Sequence, residues 1–573
     1  MALLLLLLLL LLLLLCCVGS TMWRLVFVLA SVAHAVPSVP PPVSANALAL
    51  QRTLAAAAAA SSAAGNPYSP GRPLAVTVPP GRYVFSDTNL AIAGAANLDV
   101  NAHNATFVFY FGHGLVVSGS ANVSVRGPTL DADPPNYAQG TVTAVALDGS
   151  GFVASFDPRF IPPDCSVQPF SQPGGQAGAK VMFWDARTRL PLPATQNMMN
   201  GSSSAPHVGG GGGDGAWRID VHNAFGPADA PNRARPPVGA LVTVFARRGN
   251  TFALMNSSGC LAEDVTVHAG GNMGFLEHLG GGGHTYRRVA IVRRPAGGDG
   301  DVGGLMANNA DGFHSDSVGR GPALLDSEIA FTGDDHLNVM SRMLVVCEAG
   351  NASDALVIVD VSRGGLAAAR PGDGLGFYQL LGGPHPGVNP LLGRGVIAAG
   401  AVPELVADDA ALVRECDGAA AAMAAPPFSA HLVVSLQGSP VYRVRFAAPL
   451  PPAVAATRFN LATLARQSGG GALIRNSSFH DSCGTGGRII LKARNATYEG
   501  NVAARFGGLH VYTEQEWLEG DLGLGGVALR NNTFVDQRGG AVHVDVMAGL
   551  PGVTCSGTTF VERGNVTTRA SGC

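Results

Sequence analysis

Hydrophobic and polar residues alternate over short stretches along most of this chain, and glycine, asparagine or aspartate ends each stretch. Clear examples are Asn122–Arg126, Asp264–His268 and Tyr286–Val292. A period of two residues is typical of half-buried β-strands. Helical periodicity is almost absent outside residues 44–63, where the sequence predicts one helix that caps the fold. The pattern therefore predicts an all-β chain.

A motif of Arg, Asn, any residue, Ser or Thr, and an aromatic residue recurs near the end of the chain. Its asparagines, Asn476, Asn495 and Asn531, are separated by 19 and 36 residues. Recurrence near 20 residues, or near twice that, is typical of a solenoid with one coil per repeat. Stacked coils place like residues above one another and bury their inward faces against their neighbours. Because two-residue hairpin turns are scarce, we predict a parallel β-helix rather than a barrel or a sandwich.

Two long stretches, 140–248 and 343–468, interrupt the predicted coils. They are rich in Pro and Gly and lack the asparagine motif, but they contain apolar runs such as 238–245 and 430–436. We therefore predict two inserted small β-barrel-like subdomains, with disordered loops as the alternative. The predicted divisions are a signal peptide at 1–35, an N-terminal cap with the first coils at 36–139, an inserted subdomain at 140–248, central coils at 249–342, a second inserted subdomain at 343–468, and the last coils with a tail at 469–573. Within them, the β-helix is predicted over about 75–139, 249–342 and 469–566.

Composition limits the class of protein. Of the 573 residues, 47% are hydrophobic and only 13% are charged, so there is enough apolar surface to bury and a disordered chain is excluded. The formal net charge is −3, which leaves no basic excess to neutralise the phosphates of a nucleic acid. Lysine occurs only as Lys180 and Lys492, so arginine carries nearly all the positive charge.

The N-terminus is predicted to be a targeting segment. A positive charge at Arg24, an apolar run over 25–32 and a small-residue site at Ala33–Ala35 form a secretory signal that starts at Met22 and leaves Val36 as the mature start. The leucine run over 3–15 is short for a membrane span, although an uncleaved anchor is the alternative. Nine Asn-x-Ser/Thr sequons agree with a secreted glycoprotein. No Cys-x-x-Cys pair is present, so we expect no zinc site, and no metal-binding residues are predicted.

Two aspartate-containing segments are the candidates for chemistry, one ending at His314 and the other running through His336. Asp311 lies 23 residues before Asp334, about one coil, and Asp335 follows directly. Adjacent coils of a β-helix are about 4.8 Å apart, so the segments should stack and bring three carboxylates together. Glycoside hydrolysis needs two carboxyl groups, one as an acid and one to activate water. Crowding also raises one carboxyl pKa, so that this group keeps its proton near neutral pH.

The order of several motifs resembles the α-1,3-galactosidases of glycoside hydrolase family 110. The similar segments, in chain order, are Val265–Leu276, Ala310–His314, Gly333–Val339, Gly487–Leu491, Glu516–Gly520 and Val527–Phe534. The resemblance implies a right-handed parallel β-helix that removes terminal α-linked galactose. It also implies that Asp334 is the general acid, and that Asp311 and Asp335 hold and activate water. At the turn after Gly333, Asp334 and Asp335 can diverge along one surface and leave a water-sized gap between acid and base, which predicts inversion.

Other residues in these segments are candidates for substrate binding. They are His314, His336, Asn338, Arg488, Trp517 and Glu519. The face of a tryptophan suits the apolar C–H face of a pyranose, so Trp517 is the candidate stacking platform. Arg488 can orient a carboxylate.

The predicted partner is an oligosaccharide or glycan substrate, with no cofactor, no nucleic acid and no stable membrane partner. Three rival functions remain. A polygalacturonase-like hydrolase would favour a basic cleft, and the sequence has no concentrated basic run. A lyase needs a cation or a positioned Lys or Arg base, which two lysines make less favourable. A catalytically inactive carbohydrate-binding or cell-wall protein would have no need to crowd three carboxylates.

Overall fold

The structure is a computed structural model. It describes residues 42–110, 112–161, 163, 179–192, 197–198, 216–221, 224–226, 234–297, 303–349, 355–361, 364–380, 389–406, 416, 439–455, 460–482, 487–536, 544–562 and 565–569. The predicted signal peptide at 1–35 and its cleavage site lie outside these residues and stay a prediction. In the part of the chain that is described, no helix is long and apolar enough to cross a membrane.

The helix predicted over 44–63 is present as α1, Ala45–Ser62. Alanine dominates its sequence, and alanine has the highest helix propensity. Leu50 and Leu54 are buried in the same apolar cluster as the interior of the first strands. The helix therefore covers the hydrophobic interior at the N-terminal end of the stack of coils. A short second helix, α2, spans Pro452–Ala455, and single 3₁₀ turns span Ala465–Gln467 and Gln515–Trp517.

Three long parallel sheets, here named A, B and C, form the main body. Sheet A contains β1 (Leu74–Thr77), β4 (Ala96–Asn101), β7 (Ala121–Arg126), β16 (Leu261–Glu263), β19 (Thr285–Arg287), β22 (Ala323–Leu325), β32 (Leu473–Arg475), β35 (Thr497–Glu499), β38 (Ala528–Arg530) and β41 (Thr554–Ser556). Sheet B contains β2 (Gly81–Phe85), β5 (Ala105–Phe109), β8 (Thr129–Ala132), β17 (Thr266–Val267), β20 (Ala290–Ile291), β23 (Glu328–Ala330), β33 (Ser478–His480), β36 (Val502–Ala504), β39 (Thr533–Val535), β42 (Thr558–Glu562) and the antiparallel β43 (Asn565–Arg569). Sheet C contains β3 (Leu90–Ala93), β6 (Leu115–Ser118), β15 (Phe252–Met255), β18 (Phe275–His278), β21 (Phe313–Asp316), β24 (Leu337–Met340), β34 (Ile489–Leu491), β37 (Leu509–Val511) and β40 (Val544–Val546).

The chain visits sheets A, B and C in turn, and each visit pairs in parallel with the previous one. In sheet C, for example, Phe275 is in register with Phe313, Phe313 with Leu337, and Leu337 with Ile489. These inward side chains are fully buried and form a continuous apolar interior. The prediction of an all-β parallel β-helix is confirmed.

The asparagine motif is explained by the turn between sheets A and B. Asn476 and Asn531 occupy this turn with φ of 53° and 51°, a left-handed conformation that asparagine tolerates. Gly500 occupies the same turn one coil after Asn476, and a Cβ on it would lie 2.8 Å from the Asn476 Oδ1 atom. Asn495 lies instead in the turn before β35, from sheet C to sheet A. The spacing of 19 residues therefore joins two different turns, and the interval from Asn476 to Gly500 is the coil.

Two antiparallel sheets are inserted between the coils. The first insertion, between β8 and β15, has the strand order β12-β11-β14-β9-β10-β13, and the second, between β24 and β32, has the order β28-β27-β31-β25-β26-β30-β29. The strands of the first are β9 (Tyr137–Val145), β10 (Gly151–Phe156), β11 (Lys180–Trp184), β12 (Asn197–Met198), β13 (Ala216–Asp220) and β14 (Leu241–Phe245). Those of the second are β25 (Leu344–Ala349), β26 (Ala355–Val359), β27 (Gly374–Tyr378), β28 (Leu391–Val396), β29 (Glu404–Leu405), β30 (Val441–Arg445) and β31 (Leu461–Leu464). A disulfide joins Cys347 to Cys416 in the second insertion.

One carboxyl group lies inside the β-helix. Glu277 points inward from β18, is fully buried, and accepts hydrogen bonds from Ser315 Oγ at 2.5 Å and Tyr286 OH at 3.4 Å. Burial raises the pKa of Glu277 to about 8, although both hydrogen bonds oppose the shift. The side chain therefore keeps its proton in the folded protein near neutral pH.

Glu277→Gln is expected to stabilise the protein at pH 8 and to leave its stability at pH 4.5 nearly unchanged. The unfolded chain releases this proton near pH 4.5 and the folded chain near pH 8, so Glu277 makes stability fall as pH rises between these values. Glu277 alone changes the free energy of unfolding by at most about 1.4 kcal/mol per pH unit. Denaturant unfolding of both proteins from pH 4.5 to 8.5 measures it. Parallel curves for the two proteins would contradict the buried, protonated state.

Candidate active site

The two aspartate segments stack as the 23-residue spacing predicts. Asp311 precedes β21 and Asp335 precedes β24, and these strands are neighbours in sheet C. Main-chain hydrogen bonds join the segments, from Gly312 N to the Asp335 carbonyl oxygen at 2.8 Å and from Asp334 N to the Ala310 carbonyl oxygen at 3.2 Å. The turn from sheet B to sheet C therefore fixes the aspartates on successive coils.

The three carboxyl groups form one cluster. One oxygen atom each of Asp311, Asp334 and Asp335 lies within 4.8 Å of the others. The side chain of Asp334 is 20% exposed, whereas those of Asp311 and Asp335 are 7% and 5% exposed. Asp334 is therefore the carboxyl group most accessible to a large substrate.

Asp311 is paired with a histidine from its own segment. His314 Nδ1 lies 2.7 Å from Asp311 Oδ2, and both side chains are buried. Burial raises the pKa of Asp311, but the hydrogen bond and charge of His314, with the charges of Arg247 and Lys180, bring it below the ordinary value. Burial lowers the pKa of His314, but the hydrogen bond and charge of Asp311, with the charges of Asp316 and Glu519, bring it above the ordinary value. The pair therefore favours an ionised Asp311 held by a protonated His314.

Asp335 is held by Arg488 on the next coil. The Arg488 Nε atom donates to Oδ1 at 3.0 Å and Nη2 donates to Oδ2 at 3.1 Å, which is a bidentate pair. The backbone N–H of Arg488 also donates to Oδ1 at 3.2 Å. Burial raises the pKa of Asp335 above its ordinary value, and the Asp311 charge adds to this shift while Arg488 opposes it. The buried pair of Asp311 and Asp335 is thus unequal, with Asp335 the easier to protonate.

Asp334 is contacted by two cations from the first insertion, and the sequence did not predict either contact. Lys180 Nζ, at the start of β11, donates to Asp334 Oδ2 at 3.0 Å. Arg247, just after β14, forms an ion pair with the same oxygen. The insertion therefore completes the site. The scarcity of lysine was the one available signal, because both lysines of the chain lie among these acidic side chains.

The second lysine belongs to a buried network beside the aspartates. Lys492 is fully buried and forms ion pairs with Glu514 and with Glu519, the latter at 2.6 Å. Arg488 extends the network, because its Nη1 atom donates to Tyr512 OH at 2.9 Å and to Glu514 Oε1 at 3.3 Å. Glu519, predicted to bind substrate, is thus engaged by Lys492. The network fixes the guanidinium that holds Asp335.

The charged network continues across the outer face of sheet C. Arg342 donates to Glu519 Oε1 at 3.0 Å and lies 3.5 Å from Asp316 Oδ2, which His278 Nδ1 approaches at 3.2 Å. Burial raises the pKa of Asp316, but Arg342 and His278 bring it well below its usual range. The acids of this face are matched by cations, so the region is not strongly charged.

Besides His314, two more residues predicted to bind substrate are buried. His336 is fully buried, with Nδ1 2.9 Å from the Gly487 carbonyl oxygen and Nε2 3.1 Å from that of His480. Its contacts therefore favour a role in positioning the segment that carries Arg488. Asn338 is 5% exposed and in register with His314, and its Oδ1 atom is buried with no hydrogen-bond partner among the described residues.

Trp517, the predicted stacking platform, has a side chain at the surface and is 39% exposed. Its carbonyl oxygen lies 3.5 Å from Arg342 Nη1, which joins it to the network rather than to the aspartates directly. The structure therefore brings Asp311, Asp334 and Asp335 together with His314 and Arg488, and places Trp517 at the border of the charged face.

Three carboxylate oxygens at this spacing are also ligands that Ca²⁺ or Mg²⁺ prefers. Here each carboxylate already has a nitrogen partner: His314 for Asp311, Lys180 and Arg247 for Asp334, and Arg488 for Asp335. A cation would have to compete with these ion pairs. The cluster can therefore perform acid–base chemistry with its own residues.

Comparisons with known proteins give distant structural similarities. No protein-family model and no curated protein sequence matches the chain. The A-module of mannuronan C-5 epimerase AlgE6 from Azotobacter vinelandii is 10% identical, with a TM-score of 0.24 over 91% of this chain and 96% of that one. A glycoside hydrolase is 8% identical, with a TM-score of 0.26 over 84% and 89%. The tailspike gp61 of Pseudomonas phage phi297 is 10% identical, with a TM-score of 0.16 over 93% and 70%. At such TM-scores the similarities carry no argument, and the fold assignment rests on the strand ladders.

Proposed function

We propose that the protein is a secreted glycoside hydrolase that removes terminal α-linked galactose, or a similar neutral sugar, from glycans. The observation that carries the proposal is the cluster of Asp311, Asp334 and Asp335 on adjacent coils, with oxygens within 4.8 Å. Hydrolysis of a glycosidic bond needs a proton donor and a base within reach of the same sugar, and clustered carboxyl groups supply both. The resemblance to family 110 supplies the sugar.

The resemblance gives Asp334 the role of general acid, and its exposure supports this assignment. It is the carboxyl group that a glycosidic oxygen can reach most easily. Asp311 and Asp335 then hold the attacking water beneath the sugar. Two oxygens up to 4.8 Å apart can both accept hydrogen bonds from one water molecule at about 2.8 Å each.

The raised pKa of Asp335 favours a second assignment of the general acid. In that case Asp335 is the acid and Asp334, beside Lys180, is the carboxylate that stays ionised. The two assignments differ in which variant, Asp334→Asn or Asp335→Asn, keeps activity on a substrate whose leaving group needs no proton.

Lys180→Met distinguishes the two assignments of the general acid by its effect on the pH dependence of kcat. Removal of the cation makes Asp334 easier to protonate, so an acid at Asp334 keeps its proton to higher pH. We expect the basic limb of the profile to move up by about one pH unit. Lys180→Arg keeps the charge and serves as the control. An unmoved basic limb in Lys180→Met would assign the proton elsewhere.

Inversion is the stereochemical outcome that the sequence predicts, and we keep it as part of the proposal. The predicted divergence of Asp334 and Asp335 would leave a water-sized gap between acid and base. The oxygens of the cluster are closer than the separation of about 6.5–9.5 Å that is usual in inverting enzymes, and nearer the 5–5.5 Å of retaining ones. The spacing alone therefore does not support inversion, and the first-formed anomer must be measured.

The experiment that tests the function is a screen of the purified protein against nitrophenyl glycosides and α-galactosyl oligosaccharides, with and without EDTA. Release of galactose from the oligosaccharides that disappears in Asp334→Asn supports the proposal. Activity on polygalacturonate would favour the polygalacturonase-like alternative. Binding of glycans without turnover would favour the inactive carbohydrate-binding protein.

Secretion is the remaining part of the proposal and rests on the N-terminal sequence. Expression of the full chain in a eukaryotic cell should give protein in the medium that begins at Val36 and loses mass with an N-glycanase. Retention of the leucine run in a membrane fraction would support the uncleaved anchor instead.

A further inference from the structure

A cavity lies where the first insertion meets the β-helix. Its volume is about 370 Å³, within the range of small-ligand sites. Its lining includes Asp133 and Arg294, which follow two strands of sheet B, and Arg159 and Phe160, which lie in the segment after β10. The cavity is thus built from both parts of the chain, like the aspartate site.

The cavity lies on the same side of the β-helix as the aspartates. Asp133 follows β8 and Arg294 follows β20, whereas Asp334 follows β23. In sheet B the order is β8-β17-β20-β23, so Arg294 is one strand spacing and Asp133 three spacings from the coil of Asp334. At about 4.8 Å per spacing, the cavity lies about 5–15 Å along the helix axis from the aspartates. A short oligosaccharide can span that distance.

The charges around the cavity are balanced. Asp133 pairs with Arg82 at 2.6 Å, Arg159 with Asp157 at 2.6 Å, and Arg294 with Asp131 at 2.8 Å. A ligand with a net charge would therefore gain little from this lining. A neutral ligand rich in hydroxyl groups would gain hydrogen bonds from guanidinium donors and to a carboxylate acceptor.

One further feature fits a sugar. Phe160 lies in the lining and packs against Tyr137 with ring centroids 5.5 Å apart, so an aromatic wall is fixed in place. Aromatic faces suit the C–H face of a pyranose.

We propose that this cavity is a binding subsite for a neutral sugar residue of the same glycan, beyond the residue that the aspartates cleave. The inference rests on the proposed function for its substrate class. It assigns to the first insertion a role in selecting longer substrates, in addition to its contacts with Asp334.

The test compares Arg159→Gln with Arg218→Gln. Arg218 pairs with Asp220 two residues away, as Arg159 pairs with Asp157, and the two arginine side chains are 49% and 47% exposed. Arg218 is not part of the cavity lining, so its variant is a matched control. The probes are an α-1,3-galactosyl-terminated tetrasaccharide, a uronate tetrasaccharide and nitrophenyl α-galactoside.

Arg159→Gln should raise KM for the neutral tetrasaccharide about tenfold, the usual effect of losing one hydrogen bond to a charged group. Its KM for the nitrophenyl monosaccharide should stay within twofold of wild type, and Arg218→Gln should change neither value. Equal KM values for the tetrasaccharide in both variants would overturn the subsite. Preferential binding of the uronate tetrasaccharide would overturn the assigned ligand.

Calorimetric binding of the tetrasaccharides to Asp334→Asn and to Asp334→Asn/Arg159→Gln separates this inference from the proposed function. If wild type hydrolyses nothing but tetrasaccharide binding weakens on adding Arg159→Gln, the hydrolase proposal fails and the subsite stands. If hydrolysis occurs and binding is equal in the two proteins, the subsite fails and the hydrolase stands. Absence of any binding would overturn the subsite.

Discussion

Replacing Asp334 by asparagine should lower kcat on an α-galactosyl disaccharide at least about a hundredfold, the usual contribution of an acid–base group. Asp311→Asn and Asp335→Asn should cause losses of the same order, because each removes part of the set that holds the proton and the water. Asp326→Asn is the control. It removes one negative charge from the turn between sheets A and B, where Asn476 occupies the equivalent position one coil later.

The leaving group then distinguishes the acid from the base. Nitrophenolate departs without a proton, so the variant that lacks the general acid should keep much of its activity on nitrophenyl galactoside. Variants that lack the base should lose activity on both substrates. If Asp335→Asn rather than Asp334→Asn shows this selective rescue, the proton belongs to Asp335. Near-normal activity of all three variants on both substrates would disprove the site.

The largest effect on stability is expected from Lys492→Met. The ammonium group is fully buried between Glu514 and Glu519, and its removal leaves two partly buried carboxylates without their shared cation. Breaking a buried ion pair from one side typically costs about 3–5 kcal/mol. Denaturant unfolding should show this loss, and the variant should also lose activity because Glu514 helps to hold Arg488.

Two further variants test whether the unpaired carboxylates cause the loss of stability in Lys492→Met. Adding Glu514→Gln to Lys492→Met removes one of the unpaired charges and should recover part of the stability. Arg475→Met removes a cation from an exposed residue of sheet A and should change the free energy of unfolding by less than about 0.5 kcal/mol. A loss below about 1 kcal/mol in Lys492→Met would mean that solvent reaches the two glutamates in its place.

The fold was predictable because each coil of a β-helix repeats the same local pattern of alternating strand residues and turn residues. Alternating strands ended by residues that tolerate left-handed backbone are visible at Asn476 and Asn531 without any tertiary information. The stacking of Asp311 on Asp334 follows from the same regularity, since one coil in sequence is one strand spacing in space.

Contacts between separate parts of the chain were not predictable. Lys180 and Arg247 reach Asp334 only because the first insertion folds back over the coils, and no spacing in the sequence encodes that docking. The direction of a side chain within a turn was also not encoded. The His336 ring, for example, lies between two backbone carbonyl oxygens, which no pattern near the aspartates indicates. Its role in substrate binding stays a prediction.

The central claim, that this cluster hydrolyses an α-galactoside, is tested most directly by a proton NMR time course of wild-type protein with an α-1,3-galactosyl disaccharide. We expect loss of the substrate's anomeric signal and the appearance of β-galactose before mutarotation, with neither change in Asp334→Asn. An initial α-anomer would contradict inversion while leaving hydrolysis in place. An unchanged substrate spectrum at high enzyme concentration would contradict the central claim.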